Sequence, residues 1–475
     1  MIPLPLADIA QLVGGRLEMP AGTDAEPGSV EIGGSVQTDS RLVTDGSIFF
    51  ALPGEVTDGH LFAQAAVDNG AALVIAERSL GLSVPTLIVD EGTVALADLA
   101  RGVVARVREV GTLSVVAVTG SNGKTTTKNL LRAILERQAP TVAPEGSFNN
   151  HVGAPISMLR IDYSTRYLIV EMGAGKSGDI ARLVSIARPD IGIVLKVGLA
   201  HVGEFGSIEE VQRAKSEMVT DLGPDAVAVL NADDDRVAEM ANMTKASVFW
   251  FGLSAGADVR AEDIEATATG TAFTLVVGDD LRLPVRMRIL GEHHVSNALA
   301  ALSAARLLDV DLRQAIAAIE DVRRAERWRM EVLLPPSGAV IINDAYNASP
   351  DSMAAALKTL AQVRGPGNRT VAVLGEMAEL GEYANEEHDR IGRLVVRLNV
   401  EKLIVVGHAA RHIHNAAGLE GSWDGESVLV DNPEEAYDLL RDTIGSGDIV
   451  LVKSSKSANL RFLGDRLGGV ETPAW

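Results

Sequence analysis

Short apolar runs alternate with amphipathic helical patterns along almost the whole chain. This alternation is typical of α/β units that build parallel sheets. The first 110 residues contain three strand-like runs, and a helical pattern follows at 92–110. The runs are Ser47–Leu52, Ala72–Ala76 and Thr86–Val89.

A second group of apolar runs precedes a segment with a different period. Residues Val259–Leu290 alternate polar and apolar positions between glycine-rich turns, which predicts a small antiparallel sheet. A helical pattern at Val295–Leu308 closes this region. The four strand-like runs before it are Val115–Val118, Tyr167–Val170, Ile191–Leu195 and Ala226–Leu230.

A third group of five runs with helices between them predicts a doubly wound, Rossmann-like domain. The expected architecture is therefore α/β with three domains: an N-terminal α/β domain at 1–110, a central domain with a mostly parallel sheet at 111–323, and the Rossmann-like domain at 324–475. The third group comprises Val340–Asn343, Thr370–Leu374, Leu403–Val406, Val428–Val430 and Ile449–Val452.

Composition narrows the classes of function. The 475 residues suit about three domains of roughly 100–200 residues each. The net charge of −21 argues against a nucleic-acid partner, which needs a basic face. The absence of cysteine excludes disulfides, thiolate metal sites and cysteine nucleophiles. The N-terminus lacks a basic signal-peptide region and no apolar run is long enough to span a bilayer, so we expect a cytoplasmic protein without membrane insertion.

The stretch "VVAVTGSNGKTTT" at Val115–Thr127 is similar to a phosphate-binding loop, but its glycines are closer together than in G-x-x-x-x-G-K-[ST]. A strand precedes it and a helix follows, which is the context in which backbone N–H groups bind phosphate. Lys124 would reach the outer phosphates and Thr125 would offer its hydroxyl to Mg²⁺. The alternative is an ordinary glycine-rich turn that contains a lysine. The predicted phosphate-binding residues are Gly120, Ser121, Asn122, Gly123, Lys124, Thr125 and Thr126.

Two polar residues follow neighbouring strands at the same predicted sheet edge. Glu171 ends the run "YLIVE", and His201 follows "IGIVLKVGLAH". Ligands of open α/β sheets bind at the carboxyl ends of the strands, so both side chains are candidates for a metal site beside the loop. Each could instead be a polar cap of its strand.

Further candidate residues, Lys215, His293 and Asn297, lie on predicted helices. Ser207 and Glu210 form a capping box that starts a helix, and Lys215 lies on its apolar stripe. The lysine stem could simply run along apolar surface, or the amine could be functional. His293 and Asn297 are four residues apart on one helix face and could contact an adenine ring, although a polar cluster at a helix start is as good an interpretation.

Together these motifs resemble the Mur ligase family of ATP-dependent peptide synthetases, and the short loop "TGSNGKTTT" is similar to that family's variant. The resemblance covers nearly the whole chain. Thr38–Phe62 resembles the family's UDP-sugar segment. The other matching segments are Glu171–Ile180, Gly198–Met218, Gly291–Ala301 and Asn343–Met353.

Within the family, Gly146–Pro155, "DAYNASPDSM" and Val371–Glu382 are similar to the member that adds D-alanyl-D-alanine to UDP-N-acetylmuramoyl-tripeptide. That resemblance implies ATP as phosphoryl donor, an acyl-phosphate intermediate and a step of peptidoglycan precursor synthesis. The sister ligase that adds the third amino acid typically carries a D-N-P-R element, which this chain lacks. It stays the alternative, as does, from another class, a P-loop ATPase that serves as a conformational switch. We expect a monomer.

The resemblance also implies roles for single residues. Thr125, Glu171 and His201 would hold Mg²⁺. Lys215 would be carbamylated and face a second Mg²⁺; the alternative is a plain lysine paired with Glu204, Glu217 or an ATP phosphate. Arg329, favoured over Arg327, and Asp344 would complete the ATP site with His293 and Asn297. The implied substrate contacts are Ser40, Arg41, Gly59, His60, Asn149, Asn150, Tyr346 and Asn347.

The chain departs from the family pattern at two places. Leu195-Lys196 stands where the family often has Thr-Asn, and "KSSK" at Lys453–Lys456 replaces a more usual Lys-Gly-Ser-Arg. The sequence assigns no role to these residues.

Overall fold

Parallel β-strands form the centre of each part of the chain, which confirms the predicted α/β class. The computed structural model describes residues 1–20, 22, 26–54, 57–267, 269–278, 280–324, 326–421 and 423–471. The apolar runs singled out in the sequence lie in these sheets with small shifts at their ends. Among the described residues, no helix is long and apolar enough to cross a membrane.

The N-terminal part folds around a five-stranded sheet. Its order is β2-β7-β6-β5-β4, with β2 antiparallel to the rest, and a short β1–β3 pair lies apart. Phe49 and Phe50 are consecutive and both buried, because both faces of the parallel strands are covered. The elements are β1 (Leu4–Pro5), α1 (Leu6–Val13), β2 (Arg16–Glu18), β3 (Glu31–Ile32), β4 (Val36–Gln37), β5 (Ser47–Phe50), α2 (Ala63–Asp68), β6 (Ala71–Ala76), β7 (Thr86–Ile88) and α3 (Gly92–Val110).

The central part contains a nine-stranded sheet of order β16-β15-β14-β13-β12-β11-β8-β10-β9. Its elements are β8 (Ser114–Thr119), α4 (Lys124–Leu135), β9 (Thr141–Val142), α5 (Gly153–Met158), β10 (Tyr167–Glu171), α6 (Asp179–Ala187), β11 (Ile191–Val194), α7 (Val202–Phe205), α8 (Ile208–Thr220), β12 (Val227–Asn231), α9 (Asp235–Glu239), β13 (Ser247–Gly252), β14 (Val259–Thr267), β15 (Gly270–Val277), β16 (Leu281–Met287), α10 (His293–Leu307) and α11 (Leu312–Glu320).

The predicted antiparallel segment is an extension of this sheet rather than a separate one. Strand β14 pairs in parallel with β13, through Phe251 with Val259 and Gly252 with Arg260. Strands β15 and β16 then add in antiparallel order. The sequence analysis did not identify β13, which provides the connection.

Strand β8 lies between β10 and β11 in the sheet, and this position decides where the site forms. The chain runs from β8 to β9 and β10 on one side and then crosses to β11 on the other side, so the strand order reverses at β8 and a crevice forms at its carboxyl end. The glycine-rich loop follows β8, Glu171 ends β10, and Lys196 follows β11. The topology therefore brings the three segments to one place.

The C-terminal part has a six-stranded sheet of order β17-β18-β22-β19-β20-β21, parallel except for β17. Its elements are β17 (Glu331–Leu333), β18 (Val340–Asn343), α12 (Pro350–Gln362), β19 (Arg369–Leu374), α13 (Ala384–Arg397), β20 (Lys402–Val406), α14 (Arg411–Leu419), β21 (Glu426–Val430), α15 (Pro433–Leu440), β22 (Asp448–Lys453) and α16 (Leu460–Leu467).

The central and C-terminal parts are docked at α7. Val202 of α7 is fully buried in the same apolar cluster as Leu380, which lies in the loop after β19. The Gly203 backbone N donates to the Glu379 carbonyl O at 2.9 Å. The two chain segments therefore meet backbone to backbone, which requires a small residue at 203.

Replacing Gly203 with alanine tests this docking. The added methyl carbon would lie 2.6 Å from the Gly381 N and 2.8 Å from the Glu379 carbonyl O, so the two parts would have to separate. We expect a larger radius of gyration by small-angle X-ray scattering, with an unchanged far-ultraviolet circular dichroism spectrum. Gly223→Ala is the matched control, because nothing lies within 4 Å of a methyl group at that glycine. Identical scattering from the two variants would contradict the docking described here.

Candidate active site

A cavity of about 610 Å³ lies between the central and C-terminal parts, at the carboxyl edge of β8. Residues from both parts line it. Those that the sequence analysis had selected are Ser121, Asn122, Gly123, Lys124, Thr125, Thr126, Asn149, Glu171, His201, His293, Asn297, Arg329, Asp344, Tyr346 and Asn347.

The glycine-rich loop is held against the end of β11. The Ser121 backbone N donates to the Lys196 carbonyl O at 2.8 Å, and the Gly198 N donates to the Ser121 Oγ at 2.9 Å. Gly123 has φ +88°, and a Cβ there would lie 2.2 Å from the Asn297 Oδ1. Only glycine therefore fits, and it leaves the first N–H groups of α4 without a side-chain cap, free to face an anion.

Lys124 begins α4 and lines the cavity. In the structure its Nζ donates to the Gly120 carbonyl O at 2.6 Å. Burial lowers the pKa of Lys124, and the nearby Glu171 carboxylate opposes that shift. A phosphate in the cavity would offer the ammonium a stronger, charged acceptor.

Glu171 has one oxygen without a protein partner. Its Oε1 accepts hydrogen bonds from the Asn149 Nδ2 at 2.8 Å and from the Thr125 Oγ1 at 3.3 Å. Its Oε2 is buried and accepts no hydrogen bond. An unpaired carboxylate oxygen is costly to bury, and Mg²⁺ prefers oxygen ligands. The hydroxyl of Thr125 and the carboxylate of Glu171 therefore fit a magnesium ion.

His201 lines the cavity from the turn before α7, where its φ is +62°. Its Nδ1 lies 2.5 Å from the Glu379 Oε2 of the C-terminal part. Burial lowers the pKa of His201, and the charge of Lys124 adds to the shift. The ring is therefore neutral at physiological pH, the state in which a histidine can ligate a metal.

Lys215 is buried on α8, whose N-cap is Ser207. The Ser207 Oγ accepts from the Glu210 N at 3.3 Å as predicted, but the Glu210 side chain pairs with Arg213 instead of completing the capping box. Lys215 is 3% exposed, and the described residues supply its Nζ with no hydrogen bond or ion pair. Burial lowers the pKa of Lys215 to about 7, and the charge of Lys124 acts in the same direction.

The C-terminal part contributes Arg329 to the cavity. Its Nη2 lies 3.3 Å from the Thr125 Oγ1, and its guanidinium stacks 4.4 Å from the centre of the Tyr346 ring. Arg327 faces the other way, and its Nη2 donates to the buried Asp465 at 2.8 Å. Of the two arginines, Arg329 is the one that the structure places beside the glycine-rich loop.

Lys453 holds two of the other three C-terminal residues selected from the sequence, Asp344 and Asn347. Its Nζ donates to the Asp344 Oδ2 at 2.6 Å and to the Asn347 carbonyl O at 3.1 Å. Tyr346 approaches the central part, with its hydroxyl 2.5 Å from the Ser147 Oγ. The lysine of the departing "KSSK" segment thus fixes the loop that faces the cavity.

The start of α10 lies against the loop. Asn297 is buried, and its Nδ2 forms a hydrogen bond with the His294 Nδ1 at 3.1 Å. Its Oδ1 accepts a long hydrogen bond from the Thr127 Oγ1 at 3.4 Å. Burial lowers the pKa of His293 to about 4, so its ring is neutral. The neighbouring His294 is buried, and its Nε2 neither accepts nor donates a hydrogen bond. Sequence reasoning missed His294, although it is adjacent to His293 in "GEHH".

Five residues selected as substrate contacts lie outside this cavity. Four of them, Ser40, Arg41, Gly59 and His60, belong to the N-terminal part. Arg41 is exposed and pairs with Asp39. The Asn150 Oδ1 accepts from the backbone N of Val152 and of Gly153 at the start of α5. Both ring nitrogens of the buried His60 are engaged by Asp58 and the Glu77 backbone N. Their roles stay predictions.

Other residues around the cavity were not identified from the sequence. Lys128 is buried and donates to the carbonyl oxygens of Pro144 and Gly146, which fixes the loop that carries Asn149. Its position four residues after Lys124, on one helix face, was the available signal.

The start of α12 supplies two more contacts across the cavity. The Ser349 Oγ donates to the Asn122 Oδ1 at 3.1 Å, and Asp351 pairs with Lys196 at 3.2 Å. Lys196, which departs from the family pattern, therefore has a partner in the other domain. Ser349 was recognisable as a helix N-cap before Pro350, but its contact with the loop depends on how the domains dock.

A phosphate-binding loop, an adjacent carboxylate suited to magnesium and a second domain that closes over them define an ATP-dependent phosphoryl-transfer enzyme. Comparison with known proteins narrows this class. Residues 34–107 match the Mur ligase catalytic-domain model, residues 118–305 the Mur ligase middle domain, and residues 328–456 the Mur ligase glutamate ligase domain. The chain belongs to the Mur ligase family.

Similar proteins agree over the whole length. The UDP-N-acetylmuramoyl-tripeptide–D-alanyl-D-alanine ligase of Mycobacterium tuberculosis is 40% identical, with 99% of each chain covered. A crystal structure of MurF from Acinetobacter baumannii is 31% identical with a TM-score of 0.87, covering 98% of this chain and 99% of that one. The MurF ligase of Thermotoga maritima, solved with ADP, is 29% identical with a TM-score of 0.80, covering 92% and 98%.

The two arginines give a matched pair for mutation. We expect Arg329→Met to lower kcat on the order of 10²-fold, because a charge aimed at the phosphates is lost, with little change in stability. We expect Arg327→Met to keep kcat near wild type but to reduce the free energy of unfolding by about 1–3 kcal/mol, because buried Asp465 loses a partner. Steady-state kinetics and urea denaturation measure the two effects. The opposite pattern would show that the wrong arginine was placed at the nucleotide.

Proposed function

We propose that this chain is an ATP-dependent ligase that joins D-alanyl-D-alanine to the terminal carboxylate of UDP-N-acetylmuramoyl-tripeptide. The observation that carries the proposal is a two-domain phosphate cavity in a chain that aligns over 99% of its length with ligases of that name. The reaction is a step of peptidoglycan precursor synthesis. Its dependence on ATP suits the cytoplasm, where we expect the enzyme to act as a monomer.

The reaction has two steps. A carboxylate oxygen of the tripeptide attacks the γ-phosphorus of ATP, and ADP leaves. The amine of D-alanyl-D-alanine then attacks the carbonyl carbon of the acyl phosphate, loses a proton and expels inorganic phosphate. Both steps depend mainly on positioning and on neutralising charge.

Positively charged groups of this chain would lie against the phosphates of ATP and neutralise their charge. Lys124 and the N–H groups at the start of α4 face the phosphates from the central domain, and Arg329 faces them from the C-terminal domain. Thr125, Glu171 and His201 would hold Mg²⁺, which reduces the repulsion between ATP and the substrate carboxylate. Asp344, His293 and Asn297 would contact the rest of the nucleotide.

Docking of the C-terminal domain would exclude water from the intermediate. An acyl phosphate hydrolyses readily, so a site open to solvent would waste ATP. Contacts from Tyr346 to Ser147 and from Ser349 to Asn122 close the cavity on the side of the glycine-rich loop. Asn347 and Asn149 are well placed for the acceptor and the peptide, because both line the cavity.

The UDP-sugar would lie in the N-terminal domain. We propose that Ser40, Arg41, Gly59 and His60 belong to that site, with His60 acting through the loop it fixes rather than by direct contact. Arg41 is exposed, so its guanidinium can leave Asp39 and pair with the diphosphate of the UDP-sugar instead. Asn150 would support the peptide end of the substrate from the start of α5.

Lys215 would carry a carbamate that faces a second Mg²⁺. A buried ammonium without a partner is unfavourable, whereas its neutral amine reacts with CO₂ and gains a charge that a cation stabilises. Phe205, whose ring centre lies 5.7 Å from the Nζ, leaves one side apolar. The unmodified lysine paired with Glu204 or Glu217 is the alternative, and neither carboxylate is within ion-pair distance.

Carbamylation predicts a specific dependence on pH. With a pKa of about 7, the Lys215 amine loses its proton as pH rises through 7, so ¹³C-bicarbonate should label it between pH 7 and 8. We expect one carbamate ¹³C NMR signal that is absent in Lys215→Ala and present in Lys176→Ala, an exposed lysine of the same domain. We also expect activity of Lys215→Ala to fall on the order of 10²-fold and to recover partly with short carboxylic acids. A fully active Lys215→Ala enzyme without a labelled signal in the wild type would contradict the carbamate.

Acceptor profiling tests the proposed function. With UDP-N-acetylmuramoyl-tripeptide and ATP, phosphate release should require D-alanyl-D-alanine and should not occur with free lysine or meso-diaminopimelate. Lys124→Ala should lower turnover on the order of 10²-fold or more, because it removes a charge from the phosphates. Addition of a single diamino acid to a dipeptide substrate would identify the sister ligase instead. ATP hydrolysis independent of both substrates would favour a switch.

A further inference from the structure

Glu379 belongs to the C-terminal domain but contacts His201, a residue of the central domain that lines the cavity. It lies in the loop between β19 and α13 and has φ +63°, a backbone conformation that non-glycine residues seldom adopt. Its carbonyl O accepts from the Gly203 N at 2.9 Å, and the next residue, Leu380, is buried beside Val202. The domain contact therefore determines where the Glu379 side chain is presented.

The Glu379 carboxylate is the nearest acidic partner of His201. Its Oε2 lies 2.5 Å from the His201 Nδ1, whereas the Glu204 Oε2, from His201's own domain, lies at 4.0 Å. His201 also has positive φ, at +62°. Two residues in unfavourable backbone conformations thus meet across the domain boundary, and such conformations are concentrated at functional sites.

A carboxylate at the Nδ1 decides which nitrogen of the ring is available. A neutral imidazole has one N–H, and an acceptor at the Nδ1 keeps the proton there. The Nε2 lone pair is then free for a metal ion. Carboxylates that accept from the second nitrogen of a metal-binding histidine fix its tautomer and orientation and make it a better ligand.

We propose that Glu379 is a positioning residue that orients His201 for metal binding only when the C-terminal domain is docked. Metal capture at His201 and domain closure are then thermodynamically coupled, so each promotes the other. An open enzyme would bind the metal at His201 weakly, and ATP would be committed to reaction only after closure. The inference rests on the proposed function for its catalytic meaning, but not for its metal-binding test.

The first experiment measures Mn²⁺ binding in the presence of ADP by electron paramagnetic resonance. We expect Glu379→Ala to weaken Mn²⁺ affinity by about 10–100-fold, and Glu379→Gln, whose amide oxygen can still accept from the Nδ1, to weaken it less. Glu382→Gln is the control, because Glu382 is exposed on the same turn. Mn²⁺ affinity of Glu379→Ala within twofold of the wild type would overturn the proposal.

The second experiment measures docking. The chain contains no cysteine, so Asn242→Cys and Glu434→Cys, both exposed, allow a dye pair to report on the distance between the two domains. We expect Mn²⁺ to increase the docked fraction in the wild type and in Glu382→Gln, but not in Glu379→Ala. Glu379→Ala could have a smaller docked fraction than the wild type while Mn²⁺ still increased that fraction by the full amount. Glu379 would then be an interface contact only.

The two proposals fail separately. If the wild type showed Glu379-dependent Mn²⁺ binding but no D-alanyl-D-alanine addition, the proposed function would be wrong and the positioning role would stand. If ligation were normal in Glu379→Ala and Mn²⁺ binding were unchanged, only the positioning role would be lost.

Discussion

A nucleotide triphosphate concentrates negative charge, and binding it imposes the strongest electrostatic demand on this fold. The protein itself has a net charge of −21, so the cations that accept such a ligand must be gathered locally. Lys124 and Lys196 come from the central domain, and Arg329 and Lys453 come from the C-terminal domain, around one cavity. Neither part alone presents all four, so these cations surround one cavity only in the docked arrangement.

The need to bind a charged ligand also accounts for the charged side chains that are buried near the cavity. Glu171 and Lys215 are almost inaccessible to solvent. The Glu171 Oε2 accepts no hydrogen bond, and the described residues form no hydrogen bond or ion pair with the Lys215 amine. A fold selected for stability alone would avoid both, because unpaired buried polar groups are destabilising. The magnesium ion proposed for Glu171 and the carbamate proposed for Lys215 would offset this cost. Interactions across the domain boundary, such as Ser349 with Asn122 and Asp351 with Lys196, then make the completed site dependent on closure.

Local patterns in the sequence predicted much of this fold and part of the site. The buried strands are recognisable because each is a short apolar run, and the glycine-rich loop because its residues are consecutive. Both signals depend only on residues that are close together in the chain. The continuity of β13 with β14 was missed, because pairing between strands is a tertiary property. His60 illustrates the limit for single residues: its type suits a ligand contact, but the fold engages both its nitrogens. Glu379 could not be recognised, since its partner is in another domain.

The origin of the oxygen in the released phosphate shows directly whether the enzyme activates the substrate carboxylate as an acyl phosphate. With ¹⁸O in the terminal carboxylate of UDP-N-acetylmuramoyl-tripeptide, an acyl-phosphate route transfers one labelled oxygen to inorganic phosphate in each turnover. Mass spectrometry of the phosphate formed with D-alanyl-D-alanine present would detect it. We expect phosphate with one ¹⁸O. Unlabelled phosphate, with oxygen derived only from ATP and water, would show that the cavity hydrolyses ATP without activating the carboxylate.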